Sequence, residues 1–202
     1  MEISSELLRS RTKTTGCKNK VPFRIALLGG CMDAPMGVGK TSLLTRYMYN
    51  RYPKDYTPSR GVDITIKHLT VDDEPLQIQL LEFSRNVEHT RSLGRGLYKT
   101  LSCCILVFDV GSKVSFQALD GWRDVVLEGA GNEMSVPFIL IGNKVDGHFG
   151  VSRSEIDEWC SKVAGGVVYV ETSAKNDTNV EHAFRMAIEK AMFMYKWKDL
   201  KF

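Results

Sequence analysis

The chain reads as an α/β protein built on a mostly parallel, six-stranded sheet with helices on both faces. Apolar runs of strand length alternate with longer stretches of helical period. Several of these runs are apolar throughout, as strands covered on both faces are. Polar or glycine-containing segments bound each of them.

Phe23 to Leu28 is the first such run, and a glycine-rich loop then leads into a helix from Thr41 to Tyr49. Asp72-Asp73-Glu74-Pro75 reads as a hairpin turn between two strands, the second of them Leu76 to Leu81. Cys103 to Val110 follows, and then a helix from Phe116 to Glu128. Pro137 to Ile141, a helix from Arg153 to Val163, Val167 to Val170 and a long helix from Asn179 to about Lys198 complete the alternation. In a sheet of this kind ligands bind at the carboxyl ends of the strands.

A chain of 202 residues with 43% hydrophobic content supports one domain with a substantial core. Its net charge of +3 resides in Arg9, Arg11, Lys13, Lys18 and Lys20 against Glu2 and Glu6. Residues 1–20 therefore read as a basic, flexible leader and residues 21–202 as the domain. From Val21 onward the charges cancel, which argues against nucleic-acid binding, because phosphate-backbone affinity needs clustered cations on a structured face. No long apolar run supports a signal peptide or a membrane span.

The five cysteines, at 17, 31, 103, 104 and 160, show no metal-ligand spacing, and a reducing, cytoplasmic compartment is expected. Cys103-Cys104 inside an apolar strand reads as buried packing. His68, His89, His148 and His182 are scattered in the same way. The ending Lys198-Asp199-Leu200-Lys201-Phe202 carries no prenylation motif and Met1-Glu2 no myristoylation signal, so no lipid anchor is expected and any membrane contact is peripheral.

Directly after the first strand comes Gly29-Gly30-Cys31-Met32-Asp33-Ala34-Pro35-Met36-Gly37-Val38-Gly39-Lys40-Thr41. Glycines let successive backbone N–H groups turn toward one point, the following helix adds partial positive charge, Lys40 adds a full one, and the Thr41 hydroxyl suits Mg²⁺. That combination is a polyphosphate cradle. The strict pattern G-x-x-x-x-G-K-[ST] asks for glycine where this chain has Ala34.

Two further segments follow in order, Ile141-Gly142-Asn143-Lys144-Val145-Asp146 and Glu171-Thr172-Ser173-Ala174-Lys175. Taken alone, Asn143 to Asp146 also fits a polar turn after a strand. Together with Gly37 to Leu44, Gly61-Val62-Asp63 and Leu106-Val107-Phe108-Asp109, these segments resemble the Ras superfamily of small GTPases, the Rab branch above all, from Phe23 to about Tyr195.

The resemblance implies a P-loop NTPase fold, GTP and GDP as ligands and Mg²⁺ as cofactor. Gly37, Val38, Gly39, Lys40, Thr41 and Ser42 are similar to the phosphate-binding residues, with Lys40 neutralising the β and γ phosphates. Tyr52 falls where an aromatic lies against the base. Thr41 and Ser59 match the metal-ligating hydroxyls, and Glu82 falls where the family has an aspartate that holds Mg²⁺ through water. Asn143, Lys144, Asp146, Ser173, Ala174 and Lys175 correspond to the base-reading residues. The Asp146 carboxylate suits guanine, since it accepts from both N1–H and N2–H₂, a donor pair that adenine lacks on that edge.

The likeness breaks around the γ-phosphate. Arg85 or Asn86 stands where the family has a glycine that senses the γ-phosphate, and Asn86 or Val87 stands where it has the glutamine that orients attacking water. Valine forms no hydrogen bond with water, and asparagine is shorter. Between Gly29 and Gly37 the chain also has seven residues where Rab proteins have two, so the phosphate loop carries about five extra, with Met36 just before Gly37. The expectation is a GTP-binding protein with slow or absent hydrolysis and no catalytic residue of its own at the glutamine position. The alternative is a pseudo-GTPase scaffold or structural subunit that does not cycle nucleotide. A P-loop ATP-dependent kinase is disfavoured by Asn143, Asp146 and Ala174.

In the last helix Val180, Phe184, Ala187, Ile188, Ala191 and Tyr195 recur at helical spacing as a core face. Met186, Phe193, Trp197 and Leu200 are expected on the opposite side. That second stripe suits protein effectors or assembly subunits, or shallow membrane contact helped by Lys196, Lys198 and Lys201. Recruitment to a membrane, cytoskeletal or ciliary assembly is the matching expectation for location, by resemblance to Rab-like proteins without lipid anchors.

Overall fold

The computed structural model describes residues 22–31, 36–53, 61–71, 74–86, 90, 95–131, 136–163 and 166–199, without the side chains of 74, 95 and 196–199. The expected leader, Ser59, Val87 and Leu200, together with the side chain of Trp197, lie outside the described residues.

Six strands form one sheet: β1 (Phe23–Gly29), β2 (Val62–Val71), β3 (Glu74–Phe83), β4 (Cys103–Asp109), β5 (Phe138–Asn143) and β6 (Val168–Thr172). Their order is β2-β3-β1-β4-β5-β6, parallel throughout except for the antiparallel β2–β3 pair. The described helices are α1 (Lys40–Tyr49), α2 (Arg95–Tyr98), α3 (Lys113–Gln117), α4 (Leu119–Ala130), α5 (Arg153–Lys162) and α6 (Val180–Asp199).

Alternation along the central strands builds two cores. Ile25, Leu27, Cys103, Ile105, Val107, Ile139 and Ile141 face α1 and α6. Their neighbours Ala26, Leu28, Cys104, Leu106, Phe108, Phe138 and Leu140 face α2, α4 and α5. Each fully buried Leu, Ile or Phe contributes about 1.5–3 kcal/mol, so burial on both faces explains why these strands are apolar at every position. Cys103 and Cys104 are both fully buried, on opposite faces, and burial raises the Cys103 thiol to about 12 and the Cys104 thiol well above its ordinary value.

Four sequence expectations need correction, the first being Tyr195, which is 47% exposed with its ring edge near Phe23 and is not part of the buried face of α6. The helix expected over Phe116 to Glu128 is two helices that meet at Ala118, and the first starts earlier because the Ser112 side chain caps it by accepting from Ser115 N–H. Glu74 and Pro75 belong to strand β3 and not to the turn, with Pro75 opposite Thr70. Met186 does not project from α6 with Phe193. It is half-buried against the first core, because α6 lies between α1 and strands β1, β4, β5 and β6 and buries a broader arc than one stripe. Phe193 is 66% exposed, as expected.

The end of α1 is tied to its neighbours through one ring. Tyr47 stacks on Phe184 of α6 at 4.1 Å, and the Lys67 ammonium of β2 lies 3.6 Å above its centroid.

Candidate functional site

The strand ends β1, β4 and β5 and the start of α1 converge on one corner. Gly29 closes β1 against β4 so tightly that a Cβ there would meet the Val107 carbonyl oxygen at 2.0 Å. Gly39 is the N-cap of α1 with φ 90°, and a Cβ on it would lie 2.5 Å from Asn143 Nδ2. No side chain caps α1 and no acid occupies its first turn, so its terminal N–H groups and dipole favour an anion.

Lys40 is only 7% exposed, and its Nζ donates to the Gly29 carbonyl at 2.7 Å. Burial lowers its pKa from 10.5 to about 8, with Glu82 opposing that shift and Arg85 adding to it. Thr41 Oγ1 donates to Glu82 Oε1 at 2.5 Å. Glu82 is itself 3% exposed on β3, in register with Leu27 of β1. The longer acid thus reaches the hydroxyl beside which the sequence placed it.

Asn143, at the end of β5, joins three segments. Its Nδ2 donates to the Val38 carbonyl at 2.9 Å, and its Oδ1 accepts from Thr172 Oγ1 at 3.1 Å and from Ala174 N–H at 3.2 Å. Asp146 Oδ1 accepts from Ser173 Oγ at 2.5 Å, and Lys175 Nζ lies 3.9 Å from its other oxygen. The Ser173 hydroxyl in turn accepts from Asn176 N–H, which turns the loop. The loop before α1 and the loops after β5 and β6 are therefore one hydrogen-bonded unit, at the carboxyl ends of the strands.

Of the residues the sequence singled out, Gly37, Val38, Gly39, Lys40, Thr41, Ser42 and Glu82 lie at the start of α1 and the adjoining end of β3, and Asn143, Lys144, Asp146, Ser173, Ala174 and Lys175 lie at and just beyond the ends of β5 and β6. Tyr52 is 47% exposed beyond α1. Arg85 stands beside the cradle: a Cβ built on Gly30 would lie 3.5 Å from Arg85 Cβ. The backbone after β3 is anchored where Asn86 O accepts from both N–H and hydroxyl of buried Thr90, whose own carbonyl accepts from Tyr98 Oη.

Three contributors escaped the sequence reading. Asp109, at the end of β4, pairs with Lys144 Nζ at 2.7 Å through Oδ2 and accepts from Gly111 N–H through Oδ1. Lys144 itself has φ 69°, a left-handed backbone that aims its side chain along this corner. Arg46 of α1 donates to the carbonyls of Ala174 and Lys175 at 3.0 and 3.1 Å. Trp122 Nε1 of α4 donates to the Gly30 carbonyl at 2.7 Å. Only Asp109 had a signal, its place at the end of an apolar strand.

A strand, a glycine loop with Lys40 and Thr41, and a helix, set on a sheet of this order, define a P-loop nucleotide-binding domain. The chain belongs to the Ras family, whose model, described as "Ras family", matches residues 26–193. It is 36% identical over 189 residues to the GTP-binding protein yptV5 of Volvox carteri, covering 91% of this chain and 88% of that one. It is 38% identical over 172 residues to the Ras-related protein RABG3b of Arabidopsis thaliana, covering 82% and 84%. It is also 38% identical over 180 residues to the Ypt/Rab-type GTPase ypt7 of Schizosaccharomyces pombe, covering 87% and 84%. Within the family the chain is Rab-like.

Proposed function

We propose that this Rab-like protein binds GDP and GTP at the corner built by Gly37 to Ser42, Asn143 to Asp146 and Ser173 to Lys175. It then acts by engaging protein effectors in vesicle or intracellular transport. The observation that carries the reading is the Asn143 bridge, which joins the loop before α1 to the loop after β6 at the carboxyl ends of the strands.

The oxygens of Thr41 and Glu82 suit Mg²⁺, a hard cation that takes carboxylate and hydroxyl oxygen together with phosphate. Bound there, the metal neutralises charge on the phosphate oxygens. Lys40 supplies the ammonium, α1 the N–H groups, and Asp146 the acceptor for guanine. Effectors have an apolar face in Ile64 and Ile66, which are 60% and 47% exposed on β2. Among the described residues no helix is long and apolar enough to cross a membrane.

Hydrolysis is slow or absent in this reading, since either Asn86 or Val87 is a poor substitute for a water-orienting glutamine, and Arg85 or Asn86 stands where the family has a glycine. The same substitution favours the second reading, a scaffold that holds nucleotide without cycling. One experiment separates them: the nucleotide carried by the purified protein is released by denaturation and identified by chromatography, beside a single-turnover GTP assay and exchange against labelled GDP. Bound nucleotide that exchanges supports the proposal, bound nucleotide that never exchanges supports the scaffold, and an empty protein that takes up neither nucleotide overturns the proposal. Turnover at the rate of an ordinary Rab removes the claim of slow hydrolysis alone.

A further inference from the structure

The lengthened phosphate loop begins and ends at one place. A Cβ built on Gly30 would lie 3.6 Å from Val38 Cγ1, although residues 31–37 run between them. Each end is held by a hydrogen bond from a different element: Trp122 Nε1 to the Gly30 carbonyl at 2.7 Å, and Asn143 Nδ2 to the Val38 carbonyl at 2.9 Å. Trp122 is fully buried in the second core, so its indole has no freedom to follow the loop.

We infer that Trp122 is a positioning residue for the phosphate cradle: it clamps the entry to the lengthened loop, so that the added residues leave Gly37 to Thr41 in place. The inference rests on the reading of that cradle as a nucleotide site. Loop length alone costs little, since closure entropy grows only slowly with it, but added chain does not itself fix the residues that follow it. In a short loop, chain continuity from Gly29 constrains Gly39 directly. In this long one the constraint has to be supplied at Gly30, and Trp122 is the side chain that donates to it. The indole N–H therefore matters to the cradle in proportion to the insertion.

The test compares four proteins: the full chain and a variant lacking residues 32–36, each with Trp122 or with Trp122→Phe. GDP affinity and amide hydrogen exchange at Val38, Gly39 and Lys40 in the nucleotide-free protein are measured for all of them. In the full chain Trp122→Phe weakens GDP about tenfold, through the unpaired Gly30 carbonyl, and speeds exchange at those amides. In the shortened chain the same change leaves both within about twofold. Equal loss in the two backgrounds overturns the inference and leaves Trp122 as core packing only. If Trp122→Phe prevents folding, benzothienylalanine at 122, which replaces the N–H by sulfur at similar volume, carries the same comparison. If the parent chain binds no GDP, the proposed function fails, and the amide exchange still decides the clamp.

Discussion

Thr41 Oγ1 and Glu82 Oε1 meet at 2.5 Å across α1 and β3, joining residues forty-one positions apart in the chain. The contact places a buried carboxylate beside the hydroxyl that opens α1. Glu82→Gln keeps the shape and removes the charge. Chelation of Mg²⁺ is expected to speed GDP release strongly in the parent protein and much less in Glu82→Gln, measured by dissociation of a fluorescent GDP with and without EDTA. An equal EDTA effect in both removes Glu82 from the metal's shell.

Lys40 gives the site a pH dependence. Its pKa is about 8 in the free protein and 10.5 when unfolded, so the unfolded chain holds the extra proton between those values. Stability of the nucleotide-free protein therefore rises from about pH 8 to 10.5, and below about pH 8 burying the charge costs about 3 kcal/mol. A phosphate ligand favours the charged ammonium, so GDP affinity is expected to fall as pH rises above about 8. Calorimetry in buffers of different ionisation enthalpy should detect proton uptake on binding in that range, and its absence in Lys40→Met.

Asn143→Ala cuts three hydrogen bonds that join separate segments. Leaving buried partners unpaired costs roughly 1–3 kcal/mol each, so the variant should lose several kcal/mol in denaturant unfolding and bind GDP at least a hundredfold more weakly. Asp146→Asn, by contrast, should spare stability more than affinity, and should narrow the preference for GDP over ADP in competition binding.

The two faces of α6 differ in what they contribute. Met186→Ala should cost about 2 kcal/mol or somewhat less, as loss of a half-buried side chain does, while Phe193→Ala stays within about 0.5 kcal/mol. Thermal melts of the two variants check this, and a large loss from Phe193→Ala would place that ring in the fold's own core.

The sheet and the positions of the two loops at its carboxyl edge were readable in the sequence because each carries a local constraint. A strand buried on both faces has to be apolar at every position, and a phosphate cradle needs glycines before Lys40 and Thr41. The break at Ala118 was not readable, since Phe116 to Glu128 keeps one helical period across it, and the Ser112 cap lies upstream of that run. Met186 was misplaced because angle around a helix gives direction, while the breadth of the buried arc depends on what packs there. Trp122 acts across a long sequence separation, on the Gly30 carbonyl, and leaves no local pattern, whereas the end of an apolar strand marked Asp109 but not its partner Lys144.

The paired cysteines of β4 make the chain its own unfolding clock. Thiolate is the reactive form, and both thiols are held protonated and out of solvent, so an alkylating reagent reaches them only after the sheet opens. Cys31 and Cys160 are partly exposed, so an alkylating reagent is expected to reach them without opening of the sheet. The slow phase of thiol labelling therefore reports global opening of the domain, and the nucleotide dependence of its rate measures how much free energy a ligand adds to the fold.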